Sequence, residues 1–145
     1  MPEAPSKSWT LRCDGGARGN PGPAAIGYLL LNPGGVLVEA RADYLGPATN
    51  NVAEYRALIA GLEAATRHGA NPLTVCMDSE LVVRQMTGEY RVKHEGLKPL
   101  HAAAREVVAK IPTVKFRSVP REENAGADQL VNEKLDKVLG SESPR

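Results

Sequence analysis

Apolar and polar side chains alternate through Trp9-Thr10-Leu11-Arg12-Cys13, and Asp14 closes the segment. A period of two predicts a half-buried strand, here one that ends in a carboxylate. The glycine-rich stretch Gly15-Gly16-Ala17-Arg18-Gly19-Asn20-Pro21-Gly22 follows as a turn. Ala24 to Leu31 predicts a second strand, Asn32-Pro33-Gly34-Gly35 a turn, and Val36 to about Tyr44 a third strand, so the first three form an antiparallel meander. Gly46-Pro47-Ala48-Thr49 is expected to break it. From about Asn51 to His68 the apolar spacing becomes helical, with Glu54, Leu58, Gly61, Leu62 and Ala65 on one stripe, and Gly69 ends the helix. Leu73 to Met77 predicts a short strand running into Asp78, and Ser79 to about Met86 a helix. Glu89 to Gly96 is polar and reads as a loop. Leu97 to Ile111 is an amphipathic helix with Leu100, Ala104, Val107, Val108 and Ile111 inward, and Val114 to Val119 is a last strand. After Pro120 and a polar turn, about Ala125 to Leu139 predicts a closing helix in which Asp128 shares a stripe with Val131 and Leu135. These elements make one α/β domain over residues 1–145, with loose termini at about 1–7 and 140–145.

Composition narrows the partners. The formal net charge is +1, so no global field draws in a polyanion, and one would have to be held by locally placed Lys and Arg. No apolar run approaches the roughly 20 residues that cross a bilayer, and no basic-then-apolar leader opens the chain. The expectation is a cytoplasmic monomer with no membrane partner. Cys13 and Cys76 have no metal-type spacing. Cys13 is adjacent to Asp14 and Cys76 is two residues before Asp78, so strand parity sends the thiols apart if the aspartates converge. Both read as small core hydrophobes rather than a disulfide.

Four acids, Asp14, Glu54, Asp78 and Asp128, sit at element ends or on inward stripes, at the rim where α/β folds collect ligands. Carboxylates gathered at ~4–6 Å raise one another's pKa unless a cation intervenes. With no His or Cys in the pattern, the donors are all oxygen, which suits Mg²⁺ or Mn²⁺ and not Zn²⁺. Two such ions ~3.5–4 Å apart support phosphoryl chemistry. Each acid alone also has a plain role: Asp14 as a turn residue, Glu54 closing a capping box with Asn51, Asp78-Ser79 capping the next helix, and Asp128 facing a helix dipole.

As strings, the segments Asp14-Gly15-Gly16-x-x-Gly19-Asn20-Pro21-Gly22, Thr49-Asn50-Asn51-x-Ala53-Glu54, Asp78-Ser79 and Val119-x-Arg121-Glu122-x-Asn124-x-x-Ala127-Asp128 resemble the ribonuclease H type 1 family, in order and over nearly the whole chain. The resemblance implies a ribonuclease H-like fold, a five-stranded mixed sheet flanked by helices, in which the meander continues into parallel strands. It also implies an endonuclease that cuts the RNA strand of an RNA–DNA hybrid with two Mg²⁺ ions, largely without regard to sequence. On it, Asp14, Glu54, Asp78 and Asp128 are metal-binding acids. Gly15 and Gly16 meet the RNA minor groove through backbone, Asn20, Asn50 and Asn51 contact sugar or base edges, and Thr49 is associated with a DNA-strand phosphate. Three departures stand out. The segment Thr87 to Pro99 is short where many relatives carry a basic protrusion, and holds Tyr90, Arg91, Lys93, His94 and Lys98. The strand Ala24 to Leu31 lacks the Arg that some relatives set against the DNA phosphate. None of His68, His94 and His101 lies in the loop before the last acid, where many relatives place a catalytic His. Arg121 stands in that loop instead, either to bind phosphate or assist product release, or to pair with Glu122 or Glu123. An Arg stays protonated and cannot serve as a general base.

Overall fold

The structure, a computed structural model, describes residues 8–140, so of the termini expected to be loose at about 1–7 and 140–145, all but Gly140 lie outside the described residues. Five strands form one sheet in the order β3-β2-β1-β4-β5: β1 (Trp9–Ala17), β2 (Gly22–Leu31), β3 (Leu37–Ala48), β4 (Leu73–Met77) and β5 (Val114–Ser118). The β1–β2 and β2–β3 pairs are antiparallel, and β1–β4 and β4–β5 are parallel. β1 is therefore central, where the meander meets the parallel half.

Parity along β1 sorts the two faces. Leu11 and Cys13 are fully buried in the main core with Val75 and Met77 of β4. That face is covered by α1 (Asn50–Arg67), α2 (Glu80–Met86) and α3 (Lys98–Val108). Thr10, Arg12 and Asp14 point the other way, where α4 (Ala125–Val138) packs across β1, β2 and β3. A smaller cluster of Ala25, Val131 and Leu135 seals α4 to the sheet. Cys13 and Cys76 are both buried and both free.

The predicted elements are present, with shifted edges. β1 runs on through the glycine pair to Ala17, because Gly15 and Gly16 pair with Ile26 and Ala25 of β2. β3 does not stop at Tyr44 but continues through Gly46 and Pro47 to Ala48. Gly46 takes φ +84° beside a register shift at Ala24/Ala25, and Pro47 is tolerated because β3 is an edge strand. At the other end of β3, Glu39 accepts from Tyr28, Arg67 and His68, which ties the end of α1 to the sheet and holds the Glu39 carboxyl down at about 2, chiefly through Arg67.

Gly27 decides how closely α4 approaches. A Cβ there would lie 2.8 Å from Leu130 Cβ and 3.0 Å from the Ala127 carbonyl oxygen. Gly27→Ala is expected to lift the start of α4, with its Asp128, and to cost on the order of 1–3 kcal/mol by overpacking. Urea unfolding of the variant checks this, and an unchanged midpoint would contradict so tight a seat.

Candidate active site

Each acid reaches the rim for a local reason. Asp14 pairs with Gly27 in the middle of the sheet and is 6% exposed, so its carboxyl is held in place by two neighbouring strands. Asp78 follows the last residue of β4, which lies parallel to β1, so both strands deliver their acids to the same edge and the same face. Glu54 comes from α1 on the opposite face and gets through because residue 15 is glycine. A Cβ on Gly15 would sit 2.1 Å from the Ala53 carbonyl oxygen, so the first turn of α1 rests directly on β1. Glu54 Oε1 then accepts from the Gly15 backbone N–H at 3.2 Å. Asp128 arrives from the first turn of α4, close enough to Asp14 to help raise its carboxyl.

Carboxylate oxygens of Asp14, Glu54 and Asp78 lie within 4.8 Å of one another. Asp128 stands beside this trio rather than in it, with its Oδ2 accepting from Asn132 Nδ2 at 3.3 Å. A cavity of about 430 Å³ opens over the cluster, lined by Asp14, Gly15, Gly16, Glu54, Arg121 and Asp128 among others. Burial first, then Asp78 and Asp128, push the Asp14 carboxyl up to about 7. Burial, Asp14 and Asp78 likewise raise Glu54 well above the usual carboxylate range. Three hard oxygen donors, crowded and partly desolvated, match a divalent cation, since a positive charge among them relieves the repulsion.

The plain alternatives resolve individually. Thr49, not Asn51, caps α1 through its Oγ1 to the Val52 N–H at 3.2 Å, so Glu54 is released from any capping box. Ser79 Oγ caps α2 at 3.3 Å, which leaves Asp78 at the rim. Arg121 pairs with neither Glu122 nor Glu123. Its Nε lies 3.5 Å from Asp78 Oδ2, while its side chain is 78% exposed.

The expected substrate residues gather along the lip. Asn20 Oδ1 accepts from the Asn50 backbone N–H at 3.0 Å, and Asn50 Oδ1 accepts from the Ala17 N–H at 2.9 Å. The two amides thus fasten the glycine turn to the head of α1 with their oxygens. With Thr49, the exposed Asn51, His94 and Leu97, they line a second cavity of about 330 Å³. None of the three histidines lines the acid cavity: His68 holds Glu39, His94 Nδ1 accepts from Gly96 N–H, and His101 meets the Gln85 carbonyl.

One supporting residue has no role in the sequence reading. Asn124, fully buried, donates from Nδ2 to the Cys13 carbonyl at 2.9 Å and to Asp78 Oδ1 at 3.2 Å, bridging the two acid-bearing strands. Its signal in the sequence is a polar residue three and seven positions before Ala127 and Val131, on the inward stripe of the closing helix.

A mixed sheet carrying four acids at the rim shared by its antiparallel and parallel halves defines an α/β protein of the ribonuclease H-like class. Comparison with known proteins supplies the family. The family described as reverse transcriptase-like matches residues 12–134. A ribonuclease HI of Halobacterium salinarum is 44% identical over 123 residues, covering 85% of this chain and 62% of the relative. A bifunctional protein of Mycobacterium tuberculosis is 41% identical over 149 residues, covering 92% of this chain and 41% of the relative. The chain therefore spans about two fifths to three fifths of the length of these relatives. Among solved structures, LC11-RNase H1, isolated from compost by a metagenomic approach, superposes in its complex with an RNA/DNA hybrid at a TM-score of 0.87. It is 44% identical, over 92% of this chain and 100% of that one. The chain belongs to the ribonuclease H type 1 family. No helix among the described residues is long and apolar enough to cross a membrane.

The raised Asp14 carboxyl sets a pH dependence. Its folded-state value, about 7, lies above the ordinary 3.8, so the folded protein keeps a proton that the unfolded chain releases. Stability of the chelated protein therefore falls as pH rises from about 4 to about 7. Asp14→Asn removes this penalty and is expected to stabilise the chelated protein by ~1–3 kcal/mol at pH 8, with little effect near pH 4. Denaturant midpoints at the two pH values check it, and a loss of stability at pH 8 would contradict it.

Proposed function

We propose that the chain is an endonuclease that hydrolyses the RNA strand of RNA–DNA hybrids with two Mg²⁺ ions, Mn²⁺ being a substitute, held by Asp14, Glu54, Asp78 and Asp128. The observation that carries this is the convergence of three carboxylates within 4.8 Å beneath an open cavity, with a fourth against Asp14. The hybrid seen bound to LC11-RNase H1, a protein 44% identical across its whole length, supports the substrate.

Divalent cations bound at these acids would supply positive charge at the attacking and leaving oxygens of the phosphodiester. The chain's own groups do the placing. Gly15 and Gly16 present side-chain-free backbone to the minor groove, where the 2′-hydroxyls that distinguish RNA are displayed. Asn20 and Asn50 spend their side-chain oxygens on the protein, which leaves their NH₂ groups as donors to sugar or base edges. Asn51 stands exposed beside them for the same use. Thr49 sits at the head of α1, where the helix favours an anion such as a DNA-strand phosphate. Sugar and phosphate contacts carry no sequence, and the minor-groove base edges present a degenerate acceptor pattern, so cleavage is expected to be largely sequence-independent.

Arg121 stands where many family members place a histidine. Permanently charged, exposed and only 3.5 Å from Asp78, it is suited to hold a phosphate and then let the product leave, not to take a proton. A monomer in the cytoplasm is the setting we assign, consistent with two buried reduced thiols.

The test is cleavage of a labelled hybrid in Mg²⁺, with single-stranded RNA, duplex DNA and a chelator control alongside. Cutting confined to the RNA strand of the hybrid is expected, with at least a 10³-fold loss in Asp14→Asn or Glu54→Gln while circular dichroism is unchanged. Comparable rates on all substrates, or near-normal turnover by Asp14→Asn, would overturn the reading.

A further inference from the structure

Among the described residues, the face of the sheet that carries Asp14 and Asp78 is only half covered. α4 packs across β1, β2 and β3, while β4 and β5 remain open beyond the turn Arg121–Asn124. On that open half the register aligns Arg12, Cys76 and Arg117 in one row, and Thr10, Thr74 and Lys115 in the next. Val114 and Phe116 take the opposite parity and pack on the main core, which leaves Lys115 and Arg117 exposed. Among the described residues neither forms an ion pair.

Arg12 is held in place, since its guanidinium donates to the Glu123 carbonyl at 2.9 Å. Both guanidiniums lie near Cys76, where they oppose the burial that raises its thiol. The acids nearby are Glu122 and Glu123 of the turn above, both exposed and neither paired with these cations. Lys115 and Arg117 are two residues apart on one strand, about 7 Å, a spacing close to that of successive phosphates in an extended single strand. The row begins two residues below Asp78, so it continues directly from the acid rim.

We propose that this basic half-face binds the sugar–phosphate backbone of a single-stranded extension running off the hybrid held at the rim. The inference rests on the nuclease reading for what lies at that rim. A duplex is stiff over tens of base pairs and does not fold down the sheet, whereas a single strand turns within a few nucleotides. No aromatic side chain faces outward among Thr10, Arg12, Thr74, Lys115 and Arg117, so the face holds backbone and does not stack bases. It lends affinity without sequence preference, on a chain that lacks the basic protrusion of many relatives.

The experiment compares a blunt hybrid with the same hybrid carrying a ten-nucleotide single-stranded extension, placed in turn at each of its four strand ends. Wild-type protein is expected to show a KM about threefold to tenfold lower for at least one extended substrate. In the Lys115→Ala/Arg117→Ala variant that advantage should vanish, with kcat and KM on the blunt hybrid unchanged. The slope of log KM against log salt for the extended substrate should fall by about 1.4, two single-strand phosphate contacts' worth. No advantage in wild type, or an advantage that survives the double substitution, would overturn the proposal. So would stronger competition for the face by an acidic peptide of equal charge than by the free extension, which would assign it to a protein partner. If the blunt hybrid is not cleaved at all, the nuclease reading fails, and anisotropy of the labelled blunt and extended duplexes still decides the basic face.

Discussion

Mutual repulsion among buried carboxylates is the constraint from which the rest of this molecule is best understood. Folding carries Asp14, Glu54 and Asp78 largely out of water and within 4.8 Å of one another, an arrangement that raises two of them well above the carboxylate range. Nothing in the stability of the chain alone favours that. A positive charge among the three reverses the sign of the interaction, so the fold holds open a site whose favourable state is the cation-bound one. The protein gives up intrinsic stability at the rim and keeps a geometry suited to chemistry there.

That geometry is kept by close approach. The absence of side chains at Gly15 and Gly27 lets α1 and α4 sit directly on β1 and β2 from opposite faces, so acids from both layers meet at one edge. Asn124 ties β1 to Asp78, and the Asn20 and Asn50 amides tie the turn to the head of α1. At the far end of the sheet, Glu39 with Arg67 and His68 secures α1 a second time. A helix fixed at both ends has little freedom to carry Glu54 away.

Much of this was legible in the order of residues. Period-two alternation in Trp9–Cys13 gave β1 its faces because one side is buried and the other is not, and the same parity correctly separated Cys13 from Cys76. Position on a stripe pointed Glu54 inward. What stayed hidden depended on neighbours distant in sequence. Whether Asn51 or Thr49 caps α1 turns on where the edge strand before it ends, and that strand runs on through Gly46 and Pro47 because no further strand needs its hydrogen bonds. Arg121 had two candidate acids next to it, and the one it meets is 43 residues away at Asp78. Lys115 and Arg117 carry no signal of their own within the strand Val114 to Val119, and only register sets them in line with Arg12 and the acid edge.

The direct test is calorimetric titration of the protein with Mn²⁺ at pH 6.5, repeated in buffers of different ionisation enthalpy. If crowding keeps a proton on the acid cluster, binding must expel it, and the apparent enthalpy should change with buffer by the equivalent of about half a proton or more, a release that fades above pH 8. Binding with no proton release at pH 6.5, or no binding that Asp14→Asn weakens, would contradict the claim that these carboxylates are assembled around a cation.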